Sequence, residues 1–399
     1  TKASYVDQAL TNPDASLRNS VGLAPVALVL LELIKRDFRA CKPESESPSS
    51  NLNPPREALH TISKPLNPLA LNRGLYKTLP LSLNREIFLP RIFFATDVHG
   101  SEKCWKKFIN AGKVYKADVL ILGGDLTGKA IIPIIKEKDK YKISFLEQTL
   151  VVKESKVHEV MGLISDKGLY PYVMSEEEYE NCLRDQSKVE RLFIELTVQR
   201  LKSWIEWADK KLEEYGLVVY VCPGNDDRFE VDYVIDEARR IIRAEGKVLE
   251  IFKGFEMIST GWTNPTPWRT PRECSEEELF NKIKAMAEEV RHLDKCIFNI
   301  HAPPFGSGLD EAPELDEKLR PKYGGRATAP VGSKAVRKAV EEYQPMLGLH
   351  GHIHESRGTT RIGKTICVNP GSTYDQGILL GYLIDVEEGG VKSLTPTSG

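Results

Sequence analysis

Three histidines fall within five positions of one short stretch, LGLHGHIHESRG at 347–358. The chain has only eight histidines in 399 residues. In an extended segment the side chains of His352 and His354 project to one side, and Gly351 lets the backbone come close. Imidazole is the commonest metal-binding side chain near neutral pH. The spacing therefore predicts a metal site whose remaining ligands come from elsewhere in the chain.

Candidate partners follow four other short apolar runs. Each run has the β-branched or apolar composition of a buried strand, and open α/β sheets place their sites at the carboxyl ends of strands. The candidates are Asp97 and His99 after RIFFAT (91–96), Asp125 after DVLIL (118–122), Asn225, Asp226 and Asp227 after LVVYVC (217–222), and His301 after CIFNI (296–300). Taken singly, these are ordinary turn residues. Together with the histidines after MLGLH (346–350), they favour one shared site.

The strands alternate with helical patterns, which predicts an α/β fold. The predicted helices span 101–111, 231–245, 275–292 and 333–343. Between 140 and 215 an insertion interrupts this order, with a predicted hairpin followed by apolar residues at helical spacing over 175–215. Unbroken, that helix would reach about 60 Å at roughly 1.5 Å per residue, so a break or a packing partner is expected. Trp204 and Trp207 are predicted to be core or interface residues.

The first 88 residues are predicted to be an N-terminal extension and linker, partly disordered, ahead of a main domain at 89–395. The segment KPESESPSSNLNPPRE, 42–57, has almost no apolar residues and is typical of a linker. The apolar run APVALVLLELI, 24–34, is too short to span a bilayer and contains Glu32. We expect it to form a buried amphipathic helix, not a membrane span or a signal peptide.

Composition limits the partners that the sequence predicts. A formal net charge of −2 gives no strong signal for nucleic acid or an anionic membrane. The seven cysteines are scattered without a Cys-x-x-Cys pair, which argues against a disulfide framework and a thiolate zinc site. A reducing, cytoplasmic location fits this pattern. The 140–215 insertion is expected at one edge of the domain, as a cap or as a contact for a homo-oligomer through 175–215.

The ordered set Asp-x-His, Gly-Asp, Gly-Asn, His and Gly-His-x-His resembles that of the calcineurin-like metallophosphoesterases, over roughly residues 88–390. As a set these motifs are highly specific, although each alone is weak. The resemblance implies a four-layer α/β/β/α sandwich with two metal ions at the strand ends. Two further stretches, 261–279 and NPGS at 369–372, look like those of a prokaryotic branch of predicted phosphoesterases.

Carried over position by position, the resemblance implies seven metal ligands. Asp97, His99 and His354 hold the first ion, Asn225, His301 and His352 hold the second, and Asp125 bridges both. Candidate catalytic residues are Asp226, Asp227 and His301, and candidate substrate contacts are Asn225, Trp268 and Arg269. His350 stays outside the ligand set and is expected to end the strand or to support the ligands.

This ligand set implies a particular chemistry. Two cations about 3.5–4 Å apart lower the pKa of a bridging water to give hydroxide, and they neutralise charge growing on the phosphoryl oxygens. Mixed imidazole, carboxylate and amide ligands suit Mn²⁺, Fe or Zn²⁺ better than Mg²⁺. The resemblance therefore implies a hydrolase that acts on phosphate esters with two divalent metal ions.

The sequence departs from the family at PGNDD, because most members place His directly after the Asn and Asp226 stands there instead. In the family that imidazole is thought to touch the phosphate and to help protonate the leaving oxygen. A carboxylate repels a phosphate dianion and, when ionised, has no proton to give. A diester carries one negative charge fewer, and members without this His tend toward diesters. We therefore predict a phosphodiesterase, with Asp227 orienting its neighbours and Asp226 supporting the ligands or contacting a metal from outside.

Two alternatives remain open at this level. One is a phosphomonoesterase. The other is a non-catalytic metal-binding scaffold, because relatives of this fold exist that serve in protein assembly after losing part of the metal site. Here every ligand position carries a ligand-type residue, which favours the enzyme.

Deleting residues 1–58 is expected to leave metal binding intact, because no predicted ligand lies in that range. Metal content per chain, measured on the purified truncated protein, checks this expectation. Loss of folding would instead mean that the apolar run at 24–34 completes the main core.

Overall fold

The computed structural model describes residues 90–145 and 148–399. The predictions for residues 1–88, including the apolar run at 24–34 and the linker at 42–57, lie outside the described residues. Within the described ranges the chain forms seven α-helices and eighteen strands, which confirms the α/β class. Among the described residues, no helix combines the length and apolar character that a bilayer span requires.

The helices are numbered in chain order. They are α1 (Glu102–Val114), α2 (Glu154–Asp166), α3 (Glu176–Arg184), α4 (Gln186–Tyr215), α5 (Glu230–Asp236), α6 (Glu276–Ala287) and α7 (Lys334–Tyr343). The first nine strands are β1 (Arg91–Ala95), β2 (Val119–Leu122), β3 (Ile131–Glu137), β4 (Lys140–Phe145), β5 (Gln148–Lys153), β6 (Tyr170–Ser175), β7 (Val219–Val221), β8 (Ile241–Arg243) and β9 (Lys247–Phe252). The other nine are β10 (Phe255–Thr260), β11 (Cys296–Ile300), β12 (Glu311–Pro313), β13 (Thr328–Pro330), β14 (Leu347–Leu349), β15 (Gly358–Ile362), β16 (Thr365–Asn369), β17 (Leu380–Glu387) and β18 (Gly390–Ser398).

Two six-stranded sheets hold all five predicted site strands. The first has the order β18-β17-β1-β2-β7-β8, in which β1, β2, β7 and β8 are parallel. The second has the order β15-β16-β14-β11-β10-β9, in which β16, β14, β11 and β10 are parallel. Parallel strands in the middle of a sheet are buried on both faces, which explains why these runs are apolar throughout and do not alternate.

Residues of both sheets meet in one hydrophobic cluster. Ile92 and Phe94 of β1 lie in this cluster with Met257, Ile297 and Leu349 of the second sheet. Successive side chains of a strand point to opposite faces. The other face of each sheet therefore packs against helices: the first sheet against α1, α4 and α5, and the second against α6 and α7.

The insertion forms a separate four-stranded sheet with the order β5-β4-β3-β6. The predicted hairpin is present as β4 and β5, and the sheet begins at Ile131, ahead of residue 140. The predicted break in the long helix is confirmed at Asp185, whose extended backbone ends α3 and whose carboxylate accepts a hydrogen bond from the backbone N–H of Ser187 in α4. Trp204 of α4 is buried in the cluster with the first sheet, and Trp207 packs against it. Both were predicted as core or interface residues.

The predicted helix at 231–245 is only half correct. Helix α5 ends at Asp236, and Ile241–Arg243 form β8, which pairs in parallel with β7 at the sheet edge. The carboxylate of Asp209 accepts hydrogen bonds from the backbone N–H groups of Arg239 and Arg240 at 3.0 and 2.8 Å. This anchor turns the chain toward the sheet, where the β-branched pair at 241–242 completes the edge.

Replacing Trp204 by Ala is expected to lower the free energy of unfolding by about 3–5 kcal/mol, as for other large aromatic residues removed from a core. Trp204 is 4% exposed, its ring stacks on Trp105 with centroids 5.0 Å apart, and its indole N–H donates to Glu102. Denaturant unfolding measures the change. Trp268, which is 47% exposed, is the matched control, and its replacement by Ala should change stability by less than about 0.5 kcal/mol. Equal effects of the two changes would contradict this account of the α4 packing.

Candidate metal centre

The predicted ligands lie at the carboxyl ends of neighbouring parallel strands. In the first sheet, β1, β2 and β7 are adjacent strands. Asp97 and His99 follow β1, Asp125 follows β2, and Asn225 follows β7. In the second sheet, β11 and β14 are adjacent and lead into His301 and into the segment that contains His352 and His354. Because the ends of parallel strands share one edge of a sheet, residues far apart in the chain come together.

A first group of possible ligands consists of Asp97, His99 and His354. The Nε2 atoms of His99 and His354 are 3.0 Å apart, and Nε2 of His354 is 3.3 Å from Oδ1 of Asp97. One ligand atom from each residue lies within 4.8 Å of the other two, which is close enough to surround one ion. The pattern of two imidazoles and one carboxylate is typical of first-row transition metals and zinc.

A second group consists of Asp125, His301 and His352, and Asp125 connects it to the first. Oδ2 of Asp125 is 3.4 Å from Nε2 of His301 and 3.5 Å from Nε2 of His99. The same carboxylate oxygen therefore faces one imidazole of each group. A carboxylate between two ligand groups is in the right place to be shared by two ions.

The unpartnered atoms at this site fit a metal ion. His301 lies with Nδ1 3.1 Å from the carbonyl oxygen of Gly123, so Nδ1 carries the proton and the lone pair of Nε2 faces the carboxylates. Asn225 donates through Nδ2 to Oγ1 of Thr270 at 2.9 Å, which directs its Oδ1 the other way. Both His301 Nε2 and Asn225 Oδ1 are buried without a hydrogen-bond partner. Leaving such an atom unsatisfied costs about 1–3 kcal/mol, which a bound cation would offset.

The backbone at the ligands is unusual. Asp97, His99, Asp125 and His352 have φ angles of 53°, 39°, 50° and 67°. Residues other than glycine rarely adopt this left-handed region, and each instance costs on the order of 1–3 kcal/mol. Strain of this kind persists where the surrounding structure fixes it, as at a binding site. Gly351 has the role predicted from the sequence, because a Cβ atom there would lie 2.5 Å from Oδ2 of Asp97.

Burial and charge act together on the ionisable groups of the centre. Burial raises the pKa of Asp125 to about 6, with the carboxylates of Asp226 and Asp97 adding to the effect and His301 opposing it. Burial alone would lower the pKa of His301, but Asp125 and Asp97 outweigh it and raise that pKa to about 9. Burial and His301 together lower the pKa of His352 to about 3. The site thus concentrates negative charge: this charge raises the affinity of His301 for a proton, and by the same attraction it favours a metal cation there, beside the neutral imidazole of His352.

Asp227 supports the loop after β2. One oxygen accepts hydrogen bonds from the backbone N–H groups of Leu126 and Gly224, and the other accepts from the N–H and the hydroxyl of Thr127, at 2.6–2.9 Å. The side chain is fully buried. These four bonds tie the Asp125 loop to the Asn225 loop and give Asp227 a positioning role.

His350 lies directly after β14 and outside both ligand groups. Its Nδ1 is 2.8 Å from the carbonyl oxygen of Ile300 and 3.0 Å from that of Ala302, the residues on either side of His301. Burial lowers its pKa to about 4, so the ring is neutral and donates through Nδ1. His350 therefore holds the backbone of His301 in place, and its Nδ1 is used for these hydrogen bonds and not for metal binding.

The position that departs from the family pattern, Asp226, lies beside the centre in an ion pair that the sequence analysis did not anticipate. Oδ2 of Asp226 is 2.8 Å from Nζ of Lys129 and 3.9 Å from Nδ1 of His99. Burial would raise the pKa of Asp226, but the Lys129 ammonium and His99 outweigh it and hold the pKa below its usual value. The charge of Asp226 is therefore compensated by Lys129, and Asp226 repels a phosphate dianion less than the sequence analysis predicted. Lys129 stands four residues after Asp125 in the same strand-end loop, which is the signal that could have identified it.

Other residues that the sequence analysis did not single out also fix the ligands. Oγ1 of Thr96 donates to Oδ2 of Asp97 at 2.7 Å. The amide of Asn369, the first residue of NPGS, donates to the carbonyl oxygens of Gly351 and Ile353 on either side of His352. The ring of Tyr374 lies 4.7 Å from that of His99. The resemblance of NPGS to the family branch thus has a physical reason: this motif supports the histidine loop.

The loop at 261–279 contacts the centre at a different residue from those predicted. Thr270, through Oγ1, accepts the hydrogen bond from Asn225 described above, and it donates to Glu273 at 2.7 Å. Trp268 and Arg269 are exposed neighbours on the same loop, and their part in substrate binding stays a prediction.

Replacing Asp125 by Ala is expected to remove metal from both groups, because its carboxylate faces ligands of each. Metal content per chain, measured by mass spectrometry after loading with Mn²⁺, checks this. The control is His350→Asn, whose amide N–H can replace the Nδ1 donor: it should keep the metal content and lower only the melting temperature. An Asp125→Ala protein that still binds two ions per chain would show that the ligand assignment is wrong.

No protein-family model matches the chain. Solved structures with similar topology include TT1561 of Thermus thermophilus, at 13% identity over 78% of this chain and 99% of that one, with a TM-score of 0.43. A novel archaeal phosphodiesterase shows 11% identity over 77% and 99% of the two chains, with a TM-score of 0.32. The phosphoesterase YfcE of E. coli shows 10% identity over 76% and 98%, with a TM-score of 0.25. Similarities at this level do not determine an activity.

A nearer relative comes from the sequence comparison. The uncharacterized protein MJ1162 of Methanocaldococcus jannaschii is 36% identical over 170 residues, which are 42% of this chain and 70% of the relative. The chain therefore belongs to the same family as MJ1162, and its ligand motifs resemble those of the calcineurin-like metallophosphoesterases.

Proposed function

We propose that this protein is a phosphoester hydrolase that uses two divalent metal ions, carried on a four-layer α/β/β/α sandwich. The observation that carries the proposal is the position of Asp125, whose Oδ2 lies within 3.5 Å of an imidazole of each ligand group. Asp97, His99 and His354 would hold one ion, and Asn225, His301 and His352 would hold the other. Two cations held by these neighbouring groups would suit a phosphoryl group, whose oxygens bear the charge that must be neutralised.

When bound, the two ions would supply Lewis-acid chemistry: they would lower the pKa of a nearby water and neutralise charge on the phosphoryl oxygens. The residues of the chain set the geometry for this chemistry. His301 is oriented by its Nδ1 contact to Gly123, and Asp227 holds the loop that carries Asp125. The imidazole, carboxylate and amide ligands favour Mn²⁺, Fe or Zn²⁺. A cytoplasmic location remains part of the proposal and rests on the scattered cysteines.

We further propose that phosphodiesters are the better substrates. Where most family members have an imidazole after the asparagine, this chain has the ion pair between Asp226 and Lys129, whose formal charges cancel. A monoester dianion needs more positive charge around it than a diester with its single charge. The ion pair compensates less of the negative charge of the substrate than an imidazolium would, so binding of the monoester is weakened more than binding of the diester. Its carboxylate is also tied to an ammonium and is not available as a proton donor.

Hydrolysis of bis(p-nitrophenyl) phosphate and of p-nitrophenyl phosphate by the Mn²⁺-loaded protein tests the proposal. We expect kcat/KM to be higher for the diester, and 2′,3′-cyclic nucleotides and single-stranded DNA extend the comparison to natural diesters. Asp226→His should gain monoesterase activity, because it restores the imidazole. Asp236→His is the control, since Asp236, at the end of α5, pairs with Arg243 of β8 and has no place in the ligand groups.

A wild-type preference for the monoester would overturn the diester assignment. No gain of monoesterase activity in Asp226→His would overturn the role given to this position. No turnover with any divalent metal, in protein shown to be folded, would support a non-catalytic scaffold instead.

A further inference from the structure

Lys129 lies where a cation can reach a substrate bound at the metal centre. Its side chain is 40% exposed, whereas the ligands Asp97, His99, Asp125 and His301 are at most 2% exposed. Nζ is 2.8 Å from Oδ2 of Asp226, and the same oxygen is 3.9 Å from Nδ1 of His99. The ammonium is thus one side chain away from the first ligand group and faces solvent.

The pair with Asp226 leaves Lys129 able to bind an anion. An ammonium group has three N–H donors, and one contact to a single carboxylate oxygen uses one of them. Asp226 is itself held in place: its backbone N–H donates to Oδ1 of Asp125 at 3.0 Å, and its carboxylate accepts a hydrogen bond from Nδ2 of Asn225 at 3.4 Å. Asp226 therefore fixes the direction of the ammonium without enclosing it. A lysine held this way is a point charge that suits one phosphoryl oxygen.

The backbone of Lys129 is anchored by the inserted sheet. The backbone N–H of Gly128 donates to the hydroxyl of Tyr170 at 2.9 Å, and the N–H of Tyr170 donates to the carbonyl oxygen of Ala130, also at 2.9 Å. Gly128 packs so closely that a Cβ atom there would collide with the carbonyl oxygen of Gly168. Residues on both sides of Lys129 are therefore fixed by β6, which gives the inserted sheet a role at the site.

We propose that Lys129 contacts a non-bridging phosphoryl oxygen of the substrate, with Asp226 as the residue that positions it. This inference rests on the proposed function, and it assigns the singly charged phosphoryl group of a diester to one lysine ammonium. The pair carries no net charge, so Lys129 offers an N–H donor to one phosphoryl oxygen while the pair does not compensate the second negative charge of a monoester dianion. The preference for diesters then follows from the pair as a whole, and not from repulsion by Asp226 alone.

The test compares Lys129→Met, Lys129→Arg and Lys211→Met in the full-length, Mn²⁺-loaded protein. Lys211 is the matched control, because it is 38% exposed and pairs with Glu214 at 2.9 Å near the end of α4. Three quantities are measured: metal content per chain, the dissociation constant of inorganic phosphate by calorimetry, and KM and kcat for bis(p-nitrophenyl) phosphate. Since Lys129 is partly exposed, Lys129→Met should fold. If Lys129→Met does not fold, Lys129→Arg still tests the site, because it keeps the charge and changes only the shape of the cation.

We expect Lys129→Met to keep its metal and to bind phosphate at least about tenfold more weakly, as for loss of one charge-assisted hydrogen bond. KM for the diester should rise in step, and Lys129→Arg should recover most of the loss. Lys211→Met should match the wild type. An unchanged phosphate affinity in Lys129→Met would overturn the inference, and so would loss of metal in that variant, because Lys129 would then act on the ligands.

The two proposals fail in different ways. If the wild type hydrolyses the diester and Lys129→Met equals it in phosphate affinity and KM, only the role of Lys129 is wrong. If the wild type hydrolyses nothing but binds phosphate through Lys129, the anion site stands and the proposed hydrolase is wrong.

Discussion

Two buried carboxylates, Asp97 and Asp125, lie within 4 Å of the same imidazoles at a point almost closed to water. Burying charge is expensive unless opposite charge or hydrogen bonds offset it, and here the carboxylates are close enough to repel each other. The positive charge of a bound cation would resolve this conflict. Much of the surrounding structure can be understood as the framework that holds such groups together despite their mutual repulsion.

That framework consists of polar contacts between loops that are distant in sequence. Asp227 joins the Asn225 loop to the Asp125 loop, His350 joins β14 to the end of β11, and Asn369 supports the His352 loop. Each of these side chains is buried. A buried and satisfied hydrogen-bond network is rigid, because breaking one bond leaves its partners unpaired. This rigidity explains how four ligand residues can keep left-handed backbones.

The inserted sheet supports the loops at the edge of the metal centre. Its strand β6 anchors the segment around Lys129, and Arg200 of α4 stacks on the ring of Tyr170 at 4.8 Å while donating to the carbonyl oxygen of Gly100. The insertion is therefore in contact with the loop that carries Asp97 and His99 and with the loop that carries Asp125 and Lys129. In the C-terminal half of α4, one face, including Trp204, packs into the main core.

The α/β class, the five site strands and the residues that follow them can all be predicted from the sequence. These features are local: a buried parallel strand reads as an apolar run, and ligand-type residues stand directly after it. The break near Asp185 was also foreseeable, because an unbroken helix of that length is rare. The pairing of residues 241–243 at the sheet edge could not be predicted in this way, because local periodicity does not reveal the anchor at Asp209. Likewise, Lys129 meets Asp226 and Thr270 meets Asn225 across 97 and 45 residues of chain, as the numbering shows. Contacts of this kind depend on how loops from different strands face each other, and no short-range pattern in the sequence encodes that.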